Sequence, residues 1–303
     1  MESTLTNLSN ELAGIVQTVA PYIVSVRARR HYTSSGIHWS PGVIVTADHA
    51  IHREEDLTVA FPGGTVGATL AGRDPGTDLA VLKVPLSAAS AEHVGQADPV
   101  RAGELALVVG RSPDSGANAS LGIISAMSGP WRTWRGGQLD AYIRLDAKLF
   151  PQSAGGAVVN VRGEIIGIAT SALSRIAGVA IPVSTIRSVT EKLLQKGFVP
   201  RGYLGIGIQP VPFSEELQTK LSIANKSGLI VLTVEPNGPA HKAGILMGDI
   251  VTGIGDTVIE RTDDLQAYSN SGVIGKPVMI SYVRGGALMH SELTLGERPG
   301  RRS

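Results

Sequence analysis

Between Pro21 and Pro182 the apolar positions fall into short runs: "YIVSVRAR", "GVIVTA", "DLTVAF", "DLAVLKV", "ELALVVG", "LGIISAM", "AYIRLD", "GAVVNV", "EIIGIA" and "GVAIP". Gly, Pro, Asp and Ser separate them at close spacing, and no segment of helical period lies between them. Parallel sheets need such helices as crossovers, so the pattern predicts antiparallel barrels or sandwiches. The stretch ahead of Pro21 reads as a helix that the proline ends. After Pro182, "VSTIRSVTEKLLQKG" changes period: Ile186, Val189, Leu193 and Leu194 share one helical face, with Ser184 as the expected N-cap and Gly197 as the C-terminal stop. "FVPRGY" reads as a linker. From Tyr203 a second block carries strands "YLGIGIQPV", "GLIVLTV" and "PVMISYV" and a helix at "TDDLQAYSNSG", enough for one small module. The expected division is residues 1–198 and 199–303.

Composition narrows the class. Of 303 residues, 43% are hydrophobic and 17% charged, so the chain has the means to bury a core; 37 Gly and 17 Pro suit many turns between strands. A formal net charge of +1 argues against a protein devoted to phosphate backbones. There is no cysteine, which removes disulfides, thiolate metal sites and cysteine nucleophiles. The first twenty residues lack a basic start followed by an apolar core, and no stretch approaches a membrane span, so neither signal peptide nor span is expected in the chain as given. No H-E-x-x-H or P-loop pattern occurs, and no cofactor or metal is required.

Three pieces carry candidate chemistry. His49 lies near the end of the apolar run "GVIVTADHAI", and Asp78 opens "DLAVLKV", where a carboxylate can be held in a low-dielectric place. "FPQSAGGAVV" sets a small residue, Ala154, before two glycines on a turn between apolar segments. Each piece alone is weak, since a lone histidine is most often structural and an aspartate in "RDPGTD" is most often a turn residue, as Asp74 is read here. Their order is informative: His, then Asp, then a small residue before Gly-Gly is the order of the chymotrypsin-type triad.

"TADHAI", "DLAVLKV", "LGIISA", "IRLD", "SAGGAVVN", "GEIIGI" and "GVAIP" resemble the successive signature segments of the HtrA/Deg family of trypsin-like serine endopeptidases. "YLGIGIQPV" and "EPNGPAHKAGILMGDIVTGIGDTVI" resemble the PDZ domains that follow such proteases. The resemblance implies an all-β double barrel with the triad in its cleft, followed by one α+β PDZ domain. It makes His49 the general base, Asp78 the group that orients it, and Ala154 the occupant of the nucleophile's position. A serine hydroxyl needs a neutral imidazole to take its proton, and alanine supplies no hydroxyl, so the chain is expected to be inert as written. Ser153, one place early, points elsewhere on a turning backbone and is not expected to substitute. The intact His49 and Asp78 fit a serine replaced by alanine in an otherwise competent site; the alternative is a natural pseudoprotease acting as a peptide-binding or chaperone-like protein. Gln152 weighs toward the latter: with Ala154 it would supply the oxyanion-hole N–H groups, at a place where the family usually has glycine.

The same resemblance places the specificity pocket at Ile168, Ala169 and Thr170, uncharged residues that suit small or medium apolar side chains. It places a peptide-binding groove at Tyr203, Leu204, Gly205 and Ile206, with Leu265 and Tyr268 lining the pocket for the last side chain. The implied partners are unfolded polypeptides and C-terminal peptides, not nucleic acid; the implied assembly is a trimer and the implied home extracytoplasmic, with the cytoplasm left open. "WRTWRGG", with Trp131, Arg132, Trp134 and Arg135, corresponds to a regulatory loop expected to meet a neighbouring subunit or the PDZ domain. "RARRH", Arg27 to His31, reads as the solvated end of a strand.

Overall fold

The computed structural model describes residues 3–28, 32–86, 91, 100–270 and 274–297. The chain forms two compact units, Met1–Val199 and Pro200–Ser303.

The first unit opens with helix α1 (Thr4–Val19), capped by the Ser3 side chain, which accepts the Thr6 N–H at 3.2 Å. A 3-10 turn containing Pro21 ends it. Strands β1 (Ile23–Arg27), β2 (Ser34–Ser40), β3 (Val43–Ala47), β4 (Leu57–Phe61), β5 (Gly64–Asp74) and β6 (Leu79–Lys83) close an antiparallel barrel in the order β1-β2-β3-β6-β5-β4. A second barrel follows from β7 (Leu105–Ser112) and β8 (Gly116–Ser128), then, after the small hairpin β9 (Trp131–Arg132) and β10 (Gln138–Leu139), from β11 (Tyr142–Asp146), β12 (Ala157–Val159), β13 (Ile165–Thr170) and β14 (Gly178–Pro182). One apolar cluster joins the barrels. Val45, Leu79 and Val81 of the first meet Leu107, Val109 and Ile168 of the second, and α1 and helix α2 (Val183–Lys196) lay their apolar faces on it. Burying such side chains contributes about 1.5–3 kcal/mol each, so the two barrels are fixed against one another by the same residues that fill them.

Two barrel strands lie outside the apolar runs. β2, "SSGIHWS", is buried through Ser34, Ser35 and His38 as much as through Ile37, and β5, "GTVGATLAGRD", is largely solvent-facing along its Gly and Thr positions. The start of α2 also differs from expectation: Pro182, in an extended conformation, is the N-cap and Ser184 lies inside the helix, because proline tolerates the boundary where an N–H has no partner. Gly197 ends the helix at φ 80°, as the C-terminal reading requires.

The second unit carries an antiparallel sheet of β16 (Ile206–Pro212), β17 (Ser227–Val234), β18 (Ile250–Ile254), β20 (Pro277–Arg284) and β21 (Ala287–Thr294), with β19 (Thr257–Val258) beside β18. A small ladder joins β15 (Gly202–Tyr203) to β22 (Gly296–Glu297), and helices α3 (Glu215–Leu221), α4 (Pro239–Lys242) and α5 (Thr262–Asn270) complete it. Its own core gathers Leu229, Val231, Val251, Ile254, Ile280 and Leu293. The overall class is thus all-β for the first unit and α+β for the second. No described helix is long and apolar enough to cross a membrane.

Candidate active site

His49 sits in a 3-10 turn, Asp48–Ala50, at the end of β3. Arg73 of β5 secures that turn: its Nε donates to Asp48 Oδ1 at 2.6 Å and its second amino group to the Ile51 carbonyl at 3.3 Å. Burial pushes the Asp48 carboxyl above its ordinary range, opposed by the hydrogen bond and charge of Arg73, so the pair holds a buried acid where solvent would not. Asp78 lies where the turn after β5 enters β6. Its φ of 58° is left-handed, which aspartate tolerates better than most residues and which still costs about 1–2 kcal/mol. The surroundings meet that cost. The Asp78 carbonyl accepts the Asp48 N–H at 3.1 Å and its Oδ1 accepts the His49 backbone N–H at 2.8 Å.

The side chains then meet. His49 Nδ1 is 2.8 Å from Asp78 Oδ2 and 3.1 Å from Oδ1; Asp78 is fully buried while the imidazole remains 27% exposed. The hydroxyl of Thr170 donates to the same Oδ2. A carboxylate so held fixes Nδ1 as the protonated nitrogen and leaves Nε2 to accept a proton from the cleft. His49 and Ala154 line one cavity of about 470 Å³, with Ser34, Leu149, Phe150 and Ser171 among its other walls. No acidic or basic side chain other than His49 lines it among the described residues. The structure therefore brings His49, Asp78 and the Ala154 position together. Ser153 is on a different course: its Oγ is buried, has no hydrogen-bond partner among the described residues and does not line the cavity.

Ala154 follows the 3-10 turn Pro151–Ser153. Its N–H donates to the Pro151 carbonyl at 3.4 Å, so this N–H is turned into the loop, and Gln152 lies in a right-handed turn, outside the positive-φ residues. Ser35 of β2 clamps the loop from the first barrel: its N–H donates to the Ala154 carbonyl at 2.9 Å and its hydroxyl to the Gln152 carbonyl at 2.6 Å. Gly155, at φ 80°, lies so close to β2 and β3 that a Cβ would stand 2.3 Å from the Ser35 carbonyl oxygen. Gly155 is thus required by the contact between barrels, and Gly156 by its closeness to β7, where a Cβ would stand 2.5 Å from the Val109 carbonyl oxygen, whatever the chemistry.

Ile168 and Ala169 are fully buried and do not line the cavity; Thr170 is buried against Asp78. Leu149, Phe150 and Ser171 hold the places at the wall. In the second unit, β16 pairs with β17 along one edge only among the described residues. The Leu204 carbonyl accepts the Ala240 N–H at 2.9 Å, and the carbonyl of Gly205, at φ 76°, accepts that of Glu235 at 2.8 Å. Tyr203 pairs with Gly296 in the small ladder. Ile206 and Tyr268 pack on the core of that unit and Leu265 is part of it. Arg27 ends β1, while residues 29–31 lie outside the described residues.

Residues 34–168 match the trypsin-like peptidase domain family and residues 202–295 the PDZ domain family. A solved HtrA-type protease, AlgW with a tripeptide, superposes with a TM-score of 0.75 at 30% identity, covering 95% of this chain and 97% of the other. The chain belongs to the HtrA family of serine endoproteases. AlgW with a decapeptide gives a TM-score of 0.77 at 27% identity over 95% and 99% of the two chains. A probable periplasmic serine endoprotease, DegP-like, of Brucella suis is 36% identical over 238 residues, 76% of this chain and 45% of the relative. The serine endoprotease DegS of Haemophilus influenzae is 29% identical over 85% of this chain and 75% of its own. The chain spans less than half the length of the Brucella relative.

Proposed function

We propose that this chain is the protease and PDZ portion of an HtrA-type endopeptidase of protein quality control that cleaves unfolded or exposed polypeptides, with alanine standing at the nucleophile's position. The observation that carries it is a His49 imidazole fixed at Nδ1 by a buried carboxylate and lining the same cavity as Ala154. With a hydroxyl at position 154, His49 Nε2 would take its proton as the oxygen attacks a peptide carbonyl, then return the proton to the departing amine. Asp78, steadied by Thr170, would hold the imidazole and balance the charge it acquires. Alanine removes the attacking atom, a loss on the order of 10⁶ in turnover for such triads. Leu149 and Phe150 suit an apolar substrate side chain, and the Lys148 ammonium, 4.8 Å from the Phe150 ring centroid, does not itself line the cavity.

The open edge of β16 suits an extended peptide added as a strand, with its carboxylate at Leu204, Gly205 and Ile206 and its last side chain toward Leu265 and Tyr268. The relatives named periplasmic support an extracytoplasmic home, and a trimeric assembly belongs to the same reading. A second reading, a cleft that holds clients without cutting them, draws on Ala154 itself and on its N–H being engaged by Pro151. Casein degradation separates the two. Ala154→Ser should create cleavage that His49→Ala abolishes, whereas a well-folded Ala154→Ser protein without activity favours the holding role.

A further inference from the structure

We propose that the β9–β10 hairpin is a positioning element for Asp78, the carboxylate that orients His49, with Thr133 as its principal residue and Trp134 as its second contact. The inference rests on the reading of His49 and Asp78 as base and orienting acid. The hairpin is the "WRTWRGG" motif, and none of its residues lines the cavity. Trp131 and Leu139 anchor it on the core, and two chains of hydrogen bonds lead from it to Asp78.

The first route runs through the backbone. Thr133 is buried, its hydroxyl donating to the Gly76 carbonyl at 2.7 Å and accepting the Gly137 N–H at 3.0 Å. Gly137 lies against the same peptide, so that a Cβ on it would stand 2.2 Å from the Gly76 carbonyl. Gly76 belongs to the turn Pro75–Asp78. From within, the Asp74 carboxylate holds this turn, accepting the Gly76 N–H at 3.3 Å, the Thr77 N–H at 3.1 Å and the Thr77 hydroxyl at 2.7 Å. Asp74 fixes the turn's shape and Thr133 ties it to the second barrel. Two residues later comes Asp78 in its left-handed conformation, which persists only where neighbours over-determine it.

The second route runs through side chains. The Trp134 indole N–H donates to the Ala172 carbonyl at 3.3 Å, the Ala172 N–H donates to Thr170 Oγ1 at 3.0 Å, and that hydroxyl donates to Asp78 Oδ2. Thr170 Oγ1 accepts from one side and donates to the other, so the segment after β13 orients the hydroxyl that holds the carboxylate. Trp134 is 64% exposed, which leaves this N–H as the weaker tie, whereas Thr133 is enclosed. The hairpin therefore sets both the backbone and the carboxylate of Asp78 without touching substrate.

The test uses the chain as it stands, with the deshielded His49 Nδ1–H proton followed by NMR and assigned by its loss in His49→Gln. Thr133→Val removes the tie to Gly76 and should speed exchange of that proton with water about tenfold or more, while Thr133→Ser restores the parent rate. Trp134→Phe keeps an aromatic ring, loses the N–H and should give a smaller increase, about two- to threefold. Unchanged exchange in folded Thr133→Val overturns the proposal; if that variant fails to fold, unchanged exchange in Trp134→Phe overturns it. In an Ala154→Ser background, Thr133→Val should lower kcat by about tenfold with KM nearly constant, the mark of misplacement at the reacting group. An inactive Ala154→Ser parent would count against the proposed function alone, because proton exchange still decides the role of the hairpin.

Discussion

Gly155 and Gly163 are both left-handed, at φ 80° and 77°, yet an added methyl meets different surroundings. At Gly163 no atom would lie within 4 Å of an added Cβ, so Gly163→Ala should cost only the conformational term, about 1–2 kcal/mol. At Gly155 the Cβ would stand 2.3 Å from the Ser35 carbonyl oxygen, 2.6 Å from Thr46 Oγ1 and 2.8 Å from the Ala47 N. All three belong to β2 and β3, so relief requires the barrels to separate or the Thr46 hydroxyl to lose its 2.6 Å bond to the Ser35 carbonyl. Overpacking of this kind adds about 1–3 kcal/mol and the lost buried bond about 1 kcal/mol, for a total near 3–6 kcal/mol in Gly155→Ala. For a unit of this size that lowers Tm by roughly 6–24 °C, against roughly 2–8 °C for Gly163→Ala. Calorimetry on both variants measures the difference directly. Equal losses would refute the claim that Gly155 is demanded by the contact between barrels and leave only its backbone angle.

Releasing the Ala154 N–H from Pro151 requires the Pro151–Gln152 peptide to turn over, which drives Gln152 to positive φ. That costs about 1–3 kcal/mol for a residue with a side chain, so Gln152→Gly in an Ala154→Ser background should raise kcat/KM roughly 5- to 150-fold in a peptide-cleavage assay. In the second unit, burial pushes the Asp249 carboxyl up, but hydrogen bonds from Arg284 and the Leu246 N–H, with the Arg284 charge, outweigh it and hold the carboxyl below its ordinary value. A depressed folded pKa gives stability that is present above the unfolded value near 3.8 and lost as pH falls through the folded one. Urea midpoints of that unit should therefore drop below about pH 4, and Asp249→Asn should flatten the dependence while lowering stability at neutral pH.

Much of the site was legible because it depends on chain order. His49, Asp78 and Ala154 could be picked out as a sequence of three weak signals, and the barrel strands with apolar runs announced themselves. β2 and β5 did not: β2 buries serines and a histidine, while β5 alternates Val66, Ala68 and Leu70 with Thr and Gly, an inner face too small and glycine-rich to stand out as an apolar run. α3 buries no residue, so its capping by Ser214 left no apolar stripe to read. The supporting contacts were hidden for a different reason. Thr170 reaches Asp78 across 92 residues, Ser35 reaches Gln152 across 117 and Arg73 reaches Asp48 across 25, and nothing local marks any of them. The cavity wall is similar: Leu149, Phe150 and Ser171 flank positions that the resemblance pointed to, and closure of the barrel decides which of the neighbours faces the cleft.

The most direct test of the central claim, that His49 and Asp78 stand ready for a hydroxyl at position 154, is covalent labelling of Ala154→Ser by a fluorophosphonate, located by peptide mass spectrometry. A single label at position 154 is expected, and it should disappear when His49→Ala is added. A folded Ala154→Ser protein that takes no label, or takes it on Ser153, would contradict it.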